Sequence, residues 1–247
     1  MNKISIYKTV NHEIHYAMSL IGGSIEIISF KFLYKALIGY MTSNMVFGIN
    51  SLAENSFDFS SIYHILIVVI WMIIGAGHQF VADRYTFKKS SPLYGYAIGL
   101  STACFFLILF MQLGHYMYTN NLLHLTPNAS VMPLVTIGLV FMYIQNYIIK
   151  SGGTSYPTTT SVVTTVYILM ITHIIKACNK KNDISQRKQD LDEGRHYIMV
   201  IIHFFLGAFI TVKLSQEFDF IGLYLAFFIL LLITFRVWVK HSNLKKT

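Results

Sequence analysis

Between Ile62 and Ala82 the chain reads IYHILIVVIWMIIGAGHQFVA, with no acid, lysine or arginine. A bilayer crossing needs roughly 20 apolar residues, so this run alone suffices for one. Similar runs follow from Leu93 to Tyr116, Val131 to Ile149, Tyr197 to Val212 and Phe220 to Val239. Only 12% of the 247 residues are charged, where a soluble domain carries about a quarter. The longest polar stretch, Asn179 to Arg195, is too short to fold alone. The sequence therefore predicts an all-α membrane protein, with residues 1–247 as a single integral domain.

A net charge of +8 would suit a nucleic-acid binder, but the basic residues sit between apolar runs, as topology signals do. Lys3 and Lys8, the 83–92 loop, the 176–196 loop and the C-terminal tail hold 15 of the 19 lysines and arginines. The alternate loops, 53–61, 117–130 and 213–219, hold Lys213 against Glu54, Asp58, Glu217 and Asp219. Both termini are expected in the cytoplasm, and nucleic acid is not expected as a partner. The first 25 residues lack the pattern of a cleaved signal, so insertion through the chain's own first helix is expected.

This charge pattern constrains the segment from His12 to Leu52. It must begin inside and end outside, an odd number of crossings, yet it contains two helical pieces, with a break near Tyr34-Lys35. Val131 to Cys178 must cross an odd number of times in the other direction, and it breaks at Lys150-Ser-Gly-Gly-Thr-Ser-Tyr-Pro157. The simplest reading is one broken crossing at each place. Six net crossings result, arranged as two inverted three-crossing repeats over about 12–116 and 131–240. Glu26 and Thr42-Ser43 match Gln145 and Thr160-Ser161 across the halves, and Gly75-Ala76 matches Gly207-Ala208. Inverted repeats with discontinuous helices are a transporter construction, with the site near mid-membrane.

Glu26-Ile-Ile-Ser-Phe30 with Tyr40-Met-Thr-Ser-Asn-Met-Val46, and Ile144-Gln-Asn146 with Ser151-Gly-Gly-Thr-Ser-Tyr-Pro-Thr-Thr-Thr-Ser161, resemble signature stretches of the YoaK-like membrane proteins of bacteria. The resemblance covers nearly the whole chain in order. It departs at Glu26, where that family has Asp, and at Ser43, Met45 and Ser161-Val162-Val163. It implies a multipass protein of the bacterial cytoplasmic membrane, and it implies no reaction.

Glu26 is the one acid placed mid-helix. An intramembrane carboxylate is a functional hypothesis by default; the alternative is a structural acid bonded across helices. Thr42, Ser43, Asn44, Thr160 and Ser161 can line a site for a small polar ligand or ion, or simply pack helices. Gln145 and Asn146 are amides that need several partners when buried. Lys31 and Lys35 flank the first break and can meet an anion or snorkel to the interface. His78 and His203 are candidates for proton coupling beside Glu26. His12-Glu13-Ile14-His15 is not a zinc-protease motif. Cys104 and Cys178 offer neither a disulfide framework nor metal spacing. No catalytic residue, cofactor or metal is expected. The leading reading is a small-molecule or ion transporter in contact with membrane lipids. A non-transporting membrane partner or sensor comes second, and an intramembrane enzyme third.

Overall fold

The apolar runs become helices, as they must where no water can satisfy a backbone. A computed structural model describes residues 3–54, 58–84, 92–151, 163–179, 181 and 183–246. Its helices are α1 (Lys3–Phe32), α2 (Met41–Glu54), α3 (Phe59–Arg84), α4 (Pro92–Thr119), α5 (Met132–Ser151), α6 (Val163–Cys178), α7 (Ile184–Phe218) and α8 (Tyr224–Lys246). Among the described residues, four stretches are long and apolar enough to cross a membrane: Phe59–Val81, Leu93–Thr119, Ala129–Lys150 and Ile184–Asn243. The last contains both α7 and α8. Between them a 3-10 turn at Asp219–Leu223 reverses the chain, with Asp219 at φ 46° and Gly222 against Ser215.

The molecule carries its polar side chains inward. His15, Ser19, Ser24, Glu26, Ser29 and Gln145 are buried, while Met72, Phe105, Ile168, Phe209, Leu232 and Phe235 are exposed. In water this arrangement would be costly, because it leaves large apolar surface exposed. In lipid it is the favourable one. The chain is a membrane-embedded protein.

α1 is the central element, packing on α5, α7, α8 and the turn after α7. It runs parallel to α7. Tyr16 meets His196, the Ser19 hydroxyl donates to the Val200 carbonyl at 2.6 Å, and Lys31 reaches Ser215. Two glycines permit the approach. A methyl on Gly23 would strike the Phe204 carbonyl, and one on Gly207 would strike the Leu20 carbonyl. Small residues at such crossings let helix backbones come close where no hydrophobic force drives association. Glu13 on α1 pairs with Arg236 at 2.9 Å and Lys240 at 3.7 Å on α8.

α1 is one continuous helix of 30 residues, about 45 Å long, that takes in the polar lead as well as the apolar stretch before the break. Its last turn lies beside the end of α7 and the segment after α4. Ser19 and Ser29 need no helix break, because Ser19 is satisfied by α7 and Ser29 bonds back to the Glu26 carbonyl. The break itself, residues 33–40, is where the sequence places it. Tyr34 and Lys35 enter the left-handed region at φ 53° and 63° and end the helix, a costly conformation for side-chain-bearing residues. The second break, residues 152–162, lies outside the described residues.

α6 and α7 form an antiparallel hairpin clasped by His173. Its Nδ1 lies 2.9 Å from Asp190 and its Nε2 3.2 Å from Glu193. Asp190 also accepts a 3.3 Å bond from Gln186, so Asp190→Asn should lower the melting temperature of the detergent-solubilised protein.

Candidate functional site

Glu26 lies two turns before the end of α1 and is 4% exposed. Its Oε1 accepts a 2.6 Å hydrogen bond from the backbone N–H of Gly39, inside the first break. Its Oε2 has no hydrogen-bond partner among the described residues. Gly39 is confined between this carboxylate and Met142 of α5: a methyl there would collide with both. Tyr40, the next residue, lies within electrostatic reach of Glu26 and of Tyr167 on α6. The first break thus meets α1, α5 and the helix that follows the second break. A carboxylate here can hold the break through one oxygen and offer the other to a proton, cation or polar solute.

Asn44 holds the rest of the break. It is fully buried. Its amide donates to the Leu37 carbonyl at 2.6 Å and the Tyr40 carbonyl at 3.3 Å. Its Oδ1 accepts from the Leu37 N–H at 3.4 Å and pairs with His64 Nδ1 at 3.0 Å. The Tyr63 hydroxyl on α3 donates to the Leu33 carbonyl at 3.2 Å. α3 therefore supplies two groups that satisfy a non-helical backbone, as irregular structure at membrane depth requires.

The other candidates separate. Thr42 is exposed and Ser43 half-buried, so Thr42-Ser43-Asn44 is not one unit. Gln145 is buried and donates 2.7 Å to the Met18 carbonyl, two turns from Glu26 along α1. Asn146 is half-buried. Thr160 and Ser161 lie outside the described residues. His78 meets Tyr143, at 3.3 Å, and Tyr147 on α5. His203 pairs with the Met199 carbonyl and stacks on Tyr16 of α1. Each histidine thus faces an aromatic residue of a different neighbour. Gly207 is the close-packing position expected, whereas Gly75 is in ordinary contact with Tyr143.

A family model described as "Protein of unknown function (DUF1275)" matches residues 14–236. The chain belongs to the DUF1275 family. No curated protein and no solved structure matches it.

This DUF1275 chain also holds a histidine cluster that its sequence did not announce. His196 Nε2 lies 3.0 Å from His15 Nδ1, the Tyr16 hydroxyl lies 3.0 Å from His196 Nδ1, and the His12 ring is 4.9 Å from that of His196. The signal was present in part: positions 12, 15 and 16 share one face of a helix. That His196 meets them depends on the parallel docking of α7. Among the described residues, no group of three or more His, Cys, Asp or Glu side chains is arranged to hold a metal.

Proposed function

We infer that this protein is a polytopic transporter of a small polar solute or ion in the bacterial cytoplasmic membrane, with Glu26 as its coupling carboxylate. The observation that carries the reading is the Glu26–Gly39 contact: a buried acid on a full-length helix bonds a broken segment through one oxygen and leaves the other without a partner among the described residues. Acids at such depth are costly and are retained where they mark proton or ion paths. Loading the free oxygen with a proton or cation changes the charge that anchors Gly39, and so couples occupancy to the position of the break.

The packing supports the inverted construction. α1 packs on α8 as α5 packs on α4; α2 pairs with α3 as α6 pairs with α7; α1 packs on α7 as α5 packs on α3. Advancing every helix by four reproduces each contact. The α1–α5 and α4–α8 pairs map onto themselves, as elements at a pseudo-two-fold axis do. Six net crossings, read with the distribution of lysine and arginine, would leave both termini and the basic loops in the cytoplasm. The YoaK-like motifs fit the same placement.

The test uses proteoliposomes loaded with a pH-sensitive dye and challenged with pools of small metabolites and inorganic ions. At least one pool should move protons through wild type, and Glu26→Gln should abolish the movement while inserting normally. Equal traces from the two proteins would remove Glu26 from the mechanism; no movement with any pool would favour the second reading. That reading, a non-transporting membrane partner or sensor, draws on the tight contact of Gly39 with Glu26 and Met142, which also describes a static joint.

A further inference from the structure

We propose that the groove at the end of α1 is a binding site for an anion carrying an apolar portion, with Lys31 as its cationic anchor. The groove has a volume of about 540 Å³, within the range of small-molecule sites. Lys31, Phe32 and Tyr34 form one side, and Tyr118, Asn121 and His124, from the segment after α4, form the other. It is separate from the Glu26–Gly39 contact and stands whether or not the protein transports a solute.

Three features define the ligand. Among the described residues no acid lines the groove, while a lysine does, so its field favours an anion. An ammonium has three N–H donors. Lys31 spends two on Ser215, at 2.9 Å to the carbonyl and 3.2 Å to the hydroxyl. These bonds, and the Phe32 ring 4.8 Å from Nζ, fix the head group and leave the third donor for a ligand. Phe32, Tyr34, Tyr118, Leu123 and Leu125 supply an apolar wall, suited to an alkyl or aromatic portion rather than to a bare inorganic ion.

The backbone also marks this place. Tyr34 at φ 53° and Asn121 at φ 54° both line the groove, in the left-handed region. Side-chain-bearing residues adopt such conformations uncommonly, asparagine more readily than tyrosine, and they recur at ligand clamps. The strain brings the two sides together: Tyr34 turns the chain out of α1, and Asn121 turns it out of α4.

The anion can be a free metabolite or a lipid head group, and the experiment separates these sources. Full-length protein in phosphatidylcholine nanodiscs is titrated calorimetrically with benzoate and with phenyl phosphate. Saturable binding of either is expected. Lys31→Gln should weaken it about ten- to a hundredfold, the range for losing a hydrogen bond to a charged group. Lys31→Arg should retain binding. His124→Glu, an exposed position that leaves Lys31 and Ser215 intact, should weaken it comparably, so a folding defect in Lys31→Gln does not decide the matter. Glu26→Gln should bind as wild type does, which keeps this site distinct from the transport reading. If neither probe binds, but nanodiscs containing phosphatidylglycerol raise the melting temperature of wild type and not of the Lys31→Gln or His124→Glu variants, the source is a lipid head group. Absence of both effects, or binding unchanged by both variants, overturns the assignment.

Discussion

Asn44→Leu is expected to destabilise the protein by about 3 kcal/mol or more, because it leaves two polar groups without their partner, each at about 1–3 kcal/mol, and crowds a buried position. Those groups are the Leu37 N–H and the His64 ring nitrogen; the Leu37 and Tyr40 carbonyls lose an amide donor but keep the backbone N–H groups of Tyr40 and Asn44. Leucine has the branched outline of asparagine but is larger, so at this fully buried position overpacking adds to the polar loss. In a chain of this length the shift amounts to roughly 6–12 °C in melting temperature. Ser43→Ala, one residue away and without those bonds, should stay within about 0.5 kcal/mol of wild type. A second readout locates the effect. Lys35 is exposed within the break, so release of the break should accelerate trypsin cleavage there. Equal melting and equal cleavage in the two variants would mean that Asn44 does not hold the break.

Asn44 also shows where sequence reasoning stops. A polar Thr-Ser-Asn cluster after a helix end is visible in the chain, and so is its position beside a break. Which of the three is structural depends on helix phase and on α3: Asn44 turns toward His64 while Thr42 faces outward. The membrane class, the helical runs and the first break were legible because apolar length and helix termination are local properties. The reach of α1 was not. A stripe of Ser, Gly and Glu reads as a weak helix until α7 is laid against it, and the bonds that rescue the stripe join residues some 180 positions apart, as Ser19 to Val200. Lys31 illustrates the same limit. Its spacing to Glu26 argued against a helical pair, correctly, yet nothing local indicates Ser215 as its partner.

The glycines of the α1–α7 crossing yield the other large effect. Gly207→Ala and Gly23→Ala each place a methyl against a carbonyl of the facing helix, and a backbone cannot rotate away as a side-chain end can. Overpacking typically costs 1–3 kcal/mol, occasionally more, and these positions belong at about 3 kcal/mol or above because the helices must part. Parting also stretches the 2.6 Å Ser19–Val200 bond and the His15–His196 contact. Since both substitutions open one crossing, their effects should be sub-additive: the double variant falls short of the sum by about 1 kcal/mol or more. Gly77→Ala is the control. A methyl there meets nothing within 4 Å, and an exposed helical glycine is about 1 kcal/mol less favourable than alanine, so that variant should melt at or above wild type. Additive losses at Gly23 and Gly207 would mean that the two glycines serve separate contacts, and the parallel crossing at the centre of the molecule would have to be redrawn.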